Sequence, residues 1–430
     1  MDDKPTQYGT HFILGVTQPY SNNQNDQILI IALFDANVTI SWQLPGNNPP
    51  NTLYVKAGET ARYTIPRELR ISSTTIERKG IEVTSSKDIS VVVLIRDNAH
   101  SDGYLALPTN TLGREYVVAS HSNQPEFAVI SGEDQTTITI TPPAAGSISY
   151  NGNTYNGGQA FSITLNRLQI FHLIGNNADL SGTYITADKS VAVISGDRDA
   201  AVNSASCDHL VTFLLPVKHW GKEYILGTVG TLNVGDEFRV FTRENNNTIK
   251  SGNTINTLDS GGFIQIKLDN SPHQSYLTCS KPCQVVQYVH QQSRSGMYSD
   301  AAPSIISVPS TMHFMPSYHV ELLGGSAYHH SITLIIQKTF RDGLLKDGNP
   351  MTGLTWRCLN EREYCWTIVT ISDDIYVTHS VSGVKFGLLV FGGANGISYG
   401  YPGGFSFKKG TFATRIAVHV LKNTSDINLP

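Results

Sequence analysis

The 430-residue chain is poor in charge: Asp, Glu, Lys and Arg make up only 15% of it, and the formal net charge is −4. No basic cluster stands anywhere along it, which removes the electrostatic footprint of a nucleic-acid-binding protein. Long hydrophobic runs are missing too. The longest, residues 89–95, is one strand long and contains Ser90, far short of the roughly 18–20 residues of a membrane-spanning helix. No amphipathic pattern of helical period extends over ten or more residues, so a helical enzyme is a poor fit; 68–71 and 340–345 allow a turn or two at most. The opening MDDKPTQYGTHF lacks the charged-then-apolar layout of a secretory signal. That leaves a cytosolic protein or one whose signal was removed before numbering, and the features below favour the second.

Cysteine is scarce but not scattered. Cys279 and Cys283 flank a three-residue tip, and Cys358 and Cys365 flank a six-residue tip. Both spacings suit cross-strand disulfides that close hairpins in an oxidising compartment. Cys207 is then left unpaired; the alternative pairs Cys207 with Cys283 and leaves Cys279 free. No second Cys or His pair completes a zinc ligand set. Sequons at Asn37, Asn246 and Asn423 add to the extracellular reading. Two of them stand two residues before Thr39 and Thr248, where Gln135 precedes Thr137, so they are expected at one shared hairpin tip.

What is present is repetition. Thr84 and Lys87, Thr186 and Lys189, and Thr278 and Lys281 share one spacing within EVTSSKDISVVV, YITADKSVAVIS and YLTCSKPCQVVQ. A weaker copy starts around Thr378. Gly113-Arg-Glu-Tyr116 recurs as Gly221-Lys-Glu-Tyr224 and loosely as Gly9-Thr-His-Phe12, with Pro108 and Pro216 five residues ahead of their glycines. A fixed period of this kind marks repeat architecture. Four units are expected, at 9–112, 113–220, 221–315 and 316–410, followed by a closing strand and tail at 411–430. In that tail Ile416, Val418 and Val420 alternate inward.

Runs of five to eight apolar or alternating residues, separated by short Gly/Asn/Asp turns, make the fold class all-β. The Thr-x-x-Lys phrase reads as the tip of a strand–tip–strand hairpin, its lysine in solvent. Each unit of about 100 residues then holds eight strands in two groups of four. A β-propeller with two blades per repeat is favoured; four packed β-sandwich units are the alternative.

GTYITADKSVAVISGD, CDHLVTFLLPVKHWGKEYIL, GDEFRVF, NNTI and ISYGYPGG resemble the N-terminal domain of the IgG-Fc-binding protein family, over roughly residues 9–405. The resemblance implies a secreted, mucus-associated binding or structural module and no enzyme. No Fc-contact residue maps onto this sequence. Cys279 and Cys283 stand where the pattern expects small or apolar residues, and the fourth unit lacks the lysine.

The loop after each phrase is the expected binding rim, because equivalent loops of a repeat assembly emerge on one face. It contains Asp97 and Asp102, then Asp197, Asp199, Asp208 and His209, then Arg294 and Asp300. Turn-forming aspartates are the bland alternative, and calcium is a weak one, since Asp197-x-Asp199 falls far short of a calcium loop. Gly396-Ile-Ser398-Tyr-Gly400 matches a nucleophile elbow, but Tyr-Pro-Gly-Gly follows where a helix should. Adjacent His329 and His330 point to opposite faces of a strand. His209 and His219 lack ligand spacing. No cofactor is implied. The expected function is recognition of extracellular proteins or glycoproteins in mucus, coat or adhesive material. The alternatives are a lectin using Trp220 beside His219, and a hydrolase using Asp197, Asp199 and Asp208. A homotypic partner through Cys207 is the further expectation.

Overall fold

The computed structural model describes residues 7–407 apart from 21–24, 47–48, 176, 203–206, 231–234, 269–273, 291, 295–297, 326–327, 360–362 and 395. The tail at 411–430 and the sequon at Asn423 lie outside the described residues. The fold is all-β, with short 3-10 turns as its helical elements. Among the described residues no helix is long and apolar enough to cross a membrane.

Side-chain alternation builds the strands. In Thr136–Thr141, Ile138 and Ile140 are fully buried while the threonines at 137, 139 and 141 face outward. Solid runs behave differently. Val91 to Ile95 are all buried because both faces of that stretch are covered.

Three long strands organise the molecule: Ile81–Arg96, Tyr184–Ala200 and Gln274–Val289. Each contains one Thr-x-x-Lys phrase in its first half. The expected hairpin is thus corrected: the chain does not reverse at the phrase, it turns a corner. Gly9 lies opposite Ile89 but His11 opposite Thr84; Gly113 opposite Val191 but Glu115 opposite Thr186; Gly221 opposite Cys283 but Glu223 opposite Thr278. Each time the partner advances two residues while the long strand advances five, and such a bulge bends the strand. In the first sheet the half before the corner pairs with Ala36–Trp42, and the half after it with Gln27–Ala32 and Ser101–Leu105.

The corner explains the phrase. A side-chain oxygen two residues after the threonine, on Ser86, Asp188 or Ser280, accepts the N–H of Asn37, Thr137 or Thr248 at 2.8–2.9 Å. Lys189 and Lys281 donate from Nζ to the carbonyls of Asp134 and Asn245, at 2.5 and 2.6 Å. The register also corrects the expected match of the sequons. Val38 faces Ser85, Ile138 faces Ala187 and Ile249 faces Cys279. Asn37 is therefore equivalent to Thr137 and Thr248, two residues away from the position of Gln135 and Asn246. Asn37 and Asn246 are both exposed.

A buried tyrosine fastens the corners of the second and third large sheets and recurs further along. Tyr116 Oη accepts the Gly113 N–H at 3.0 Å and donates to Val191 O at 2.6 Å. Tyr224 does the same between Gly221 and Cys283, and Tyr318 between Met315 and Phe386. The third case was hidden in the sequence, because Met315-Pro-Ser-Tyr318 has no glycine. Gly113 itself lies so close under Pro216 that a Cβ there would collide with the ring.

The three large sheets share one strand order, with the long strand in the middle. Meandering groups of four are not what they contain, because a bent long strand serves both groups at once. Further along, Ser317–Val320, Ile375–His379 and Leu344–Lys346 form one sheet, and Tyr364–Ile371, His329–Gln337, Gly387–Ala394 and Ile397–Pro402 lie in another. Here the strand is interrupted between His379 and Gly387, where the three long strands run through. Both disulfides form. Cys358 and Cys365 face each other across a strand pair, as expected. Cys279–Cys283 joins the expected residues but staples the bulge inside one strand, so it closes no hairpin. Pairing of Cys207 with Cys283 is thereby overturned.

Four strands, Ser101–Leu105, Asp208–Phe213, Ser304–Ser307 and Ile397–Pro402, pack in a ring, each against the next and the last against the first. Replacing Tyr116 by Phe removes the corner hydroxyl and leaves the Gly113 N–H and the Val191 carbonyl buried without it. Tyr116→Phe should cost about 1–3 kcal/mol in denaturant unfolding, whereas Tyr20→Phe, at an exposed ring, should cost nothing measurable.

Candidate functional site

The residues expected on one exposed rim divide into a buried hub and a surface cluster. Asp102 and Asp208 belong to the hub and are fully buried. Asp102 Oδ1 accepts the N–H groups of Gly103 and Gly400 at 2.8 and 3.0 Å; Oδ2 accepts those of Val211 and Ile305 at 3.0 and 3.1 Å. Gly103, Val211 and Ile305 hold the same place relative to their long strands, opposite Leu94, Gly196 and Tyr288. One carboxylate thus ties together all four strands of the ring. Asp208 adds the N–H groups of Ser101, His209 and Ser398, at 2.8, 2.8 and 3.0 Å. The rim placement of these two residues is corrected: their carboxylates are consumed by backbone.

Asp197 is also buried, and it accepts the N–H groups of Asn123, Gln124 and Asp199. Burial pushes its carboxyl up to about 7, against the pull of those donors. Two other buried aspartates do equivalent work from the opposite side. Asp26 accepts the Arg96 N–H and Asp236 the His290 N–H, at the ends of the other long strands. His209 is buried beside Thr17 and 4.0 Å from Glu126, and burial lowers its pKa to about 4. Glu126 pairs with His172 at 2.9 Å, and His172 reaches Ser73 O at 3.1 Å. This buried pairing had no signature in the sequence.

The surface cluster forms where the 97–100 turn meets the 197–208 segment. Asp97 caps the turn, accepting the N–H groups of Ala99 and His100 at 2.7 and 2.8 Å. His100 sits 3.3 Å from Asp97 and 3.5 Å from Asp199. Burial lowers the His100 pKa, but the two carboxylates outweigh it and hold the imidazole above its ordinary value. Tyr20, 61% exposed, lies beside His100 with ring centroids 6.3 Å apart. Asn123 Nδ2 donates to Asp199 O at 2.5 Å. Cys207 is half-buried and unpaired. Burial, then Asp199, raises its thiol pKa. Arg294 and Asp300 sit on the paired strands Gln292–Arg294 and Tyr298–Ala301; their side chains lie outside the described residues.

The remaining candidates are absorbed by structure. Ser398 is buried in a strand, its hydroxyl donating to Pro303 O at 2.8 Å, so no nucleophile elbow exists there. His329 is exposed and His330 buried, on opposite faces. His219 reaches Thr111 O at 2.8 Å and stacks on Phe407. Trp220 is buried and donates its indole N–H to Leu215 O at 3.0 Å, so it offers no sugar platform. Among the described residues no group of three or more His, Cys, Asp and Glu stands in metal-holding geometry.

A family model described as IgGFc binding protein matches residues 102–392, the stretch from the central aspartate through the last long-strand equivalent. The chain belongs to the IgGFc-binding family. It is similar to human IgGFc-binding protein, 26% identical over 383 residues, which is 87% of this chain and 7% of that protein. The chain therefore spans a small fraction of that relative's length. Two solved structures stand at low similarity. One is a viral chemokine binding protein, R17, encoded by rodent gammaherpesvirus Peru: 7% identity, TM-score 0.14, 72% of this chain and 89% of that chain covered. The other is a tetra-tandem repeat from the extending region of a large adhesion protein: 12% identity, TM-score 0.10, 93% and 99% covered. At these scores neither bears on the fold.

Two outcomes follow for this family member. Asp102→Asn keeps the shape but turns an NH2 toward two buried N–H groups. At roughly 1–3 kcal/mol for each buried donor left unpaired, equilibrium unfolding should show a loss of about 2–6 kcal/mol. Cys207 should alkylate slowly at pH 8 and faster as pH rises above the ordinary thiol range, because only the thiolate reacts. A unit charge about 4 Å away is worth roughly 1 kcal/mol at the dielectric of bulk water, so Asp199→Ala should speed iodoacetamide labelling at pH 8 by at least about fivefold. Unchanged labelling kinetics would show that the carboxylate does not control the thiol.

Proposed function

We propose that the chain is a secreted, non-enzymatic module that recognises proteins or glycoproteins outside the cell, as a component of mucus, coat or adhesive material. Membership of the IgGFc-binding family carries this reading. Two disulfides and the exposure of Asn37 and Asn246, each within a sequon, are consistent with an oxidising, glycosylating compartment. The four units at 9–112, 113–220, 221–315 and 316–410 are arranged as a closed ring about Asp102. Support comes from the shared strand order of the large sheets and from the four strands that meet its carboxylate.

The binding rim is narrower than the sequence suggests. Tyr20, His100, Asn123 and Asp199 form an accessible junction of two loops, whereas Asp102, Asp197, Asp208 and His209 support it from below.

The test is biolayer interferometry on the folded chain with two probes, purified IgG Fc and a soluble mucin-type glycoprotein. Saturable binding to either, weakened about tenfold or more by the double variant His100→Ala with Asp199→Ala, is the expected result. If the folded chain binds neither probe, the reading fails. If the double variant binds as wild type, the loop junction is not the contact face.

A further inference from the structure

The first large sheet carries an exposed aromatic ring beside a sequon. In Ala36–Trp42 the side chains alternate: Val38 and Ile40 are fully buried, so Asn37 and Thr39 stand on the opposite, solvent side. The Asn37 backbone is fixed there, its N–H donated to the Ser86 hydroxyl at 2.9 Å. Asn37 lies directly opposite Tyr54 of Asn51–Val55. Residues opposite each other in an antiparallel pair share a face, with Cβ atoms roughly 5 Å apart. Tyr54 is 61% exposed.

The other two large sheets fill this pair differently. Thr137 and Thr248, which are level with Asn37, lie opposite Thr164 and Thr257. The pair is threonine with threonine twice, and asparagine with tyrosine once. Of the three sheets, only the one with a glycosylation acceptor at this position sets an aromatic ring against it.

The ring is also restrained. Tyr54 Oη donates to Asp35 Oδ2 at 2.6 Å, and Asp35 Oδ1 accepts the Ala57 N–H at 2.9 Å. The Tyr54 hydroxyl, then the Ala57 N–H, hold the Asp35 carboxyl below its ordinary range. The polar end of the tyrosine is thus tied down while its ring stays in water. A side chain already fixed has little freedom left to lose when a second group settles on it.

We infer that Asn37 carries an N-linked glycan and that the apolar face of its first sugar, a β-linked N-acetylglucosamine, lies on the Tyr54 ring. The donor is a lipid-pyrophosphate-linked oligosaccharide. Transfer forms the bond from Asn37 Nδ2 to sugar C1 and breaks the C1–O bond to the pyrophosphate; the amide gives up one proton, and the lipid pyrophosphate departs. The C–H groups on one side of the pyranose then meet the electron-rich face of the aromatic ring. The inference rests on the secreted reading above and says what covers this face of the first sheet. Asn246 supplies a contrast. It stands at a left-handed turn, φ 55°, with its N–H donated to Asp259 Oδ1 at 3.0 Å, so its neighbour across the turn is a carboxylate and not a ring.

The test uses the full chain secreted from cultured eukaryotic cells behind a heterologous leader, with peptide mapping to read occupancy at Asn37. Asn37 is expected to be occupied. In isotope-labelled glycoprotein, the first-sugar protons at Asn37 should resonate upfield of their positions in Tyr54→Leu. A thermal cycle gives the second readout. Loss of the glycan through Asn37→Gln should lower the melting temperature by about 1–2 °C more in the chain with Tyr54 than in Tyr54→Leu. Should Asn37→Gln fail to fold, release of the glycan from the folded protein by a peptide-N-glycosidase supplies the same comparison. An unmodified Asn37, sugar resonances that ignore Tyr54→Leu, or melting shifts that simply add overturn the inference. Fc or mucin binding by a chain whose Asn37 is empty or unstacked overturns this inference alone. A stacked glycan on a chain that binds neither probe supports the inference and sinks only the binding reading.

Discussion

The carboxylate of Asp102 is the point on which the assembly depends. Four backbone N–H groups converge on its two oxygens, from strands separated by up to 298 residues in sequence. A backbone donor buried near the centre has no water to bond, and leaving it unpaired costs about 1–3 kcal/mol. Four edges meeting there would present several such donors at once. A single carboxylate with lone pairs in four directions resolves the problem, and no neutral side chain of that size could. Asp208 closes the arrangement by linking Ser101 to Ser398, the first ring strand to the last.

The corners follow from the same constraint. A strand that contributes to the ring and also to an outer layer has to bend, and a bend in a ladder exposes backbone groups. The bulge at each phrase is satisfied locally: by a hydroxyl or carboxylate accepting the neighbour's N–H, by a lysine donating to a turn carbonyl, and by a buried tyrosine hydroxyl that serves as acceptor and donor together. In the third copy a disulfide spans the bulge as well. The tyrosine is absent from the first copy, where Phe12 stands. There the corner relies on packing and on Ser86.

Much of this was legible in the sequence, and the limits have physical reasons. The all-β class, the recurrence of the phrase and both disulfide partners came from alternation and spacing. The hairpin reading failed because Thr-x-x-Lys between apolar runs looks the same whether the chain reverses or bends; only the register with Gly113 or Gly221 separates the two. The sequons at Asn37 and Asn246 were aligned on threonines, yet pairing with the long strands sets Asn37 level with Thr137 and Thr248, two residues off. At the site, aspartate after a strand was read as exposed turn. That holds for Asp97, but Asp102 and Asp208 sit inside strands whose backbone partners come from distant parts of the chain. Such burial is invisible locally, because the donors that make it tolerable are 100 to 300 residues away. The exchange of roles between Asp197 and the pair Asp26 and Asp236 is equally hidden: the same two segments are joined, but the carboxylate comes from the other one.

A ring tied at its centre also decides where variation is tolerated. The inner strands are locked to Asp102, so a substitution there disturbs every strand that shares the carboxylate. The outermost strands carry no such obligation, and the same place is filled differently in each large sheet: Thr60-Ala-Arg62 is anchored by its arginine, Ile170-Phe-His172 is covered by Thr75–Glu77, and Phe263 lies under the Arg239 guanidinium that Asp179 holds. Equivalent backbone positions thus hold three different solutions to one edge problem.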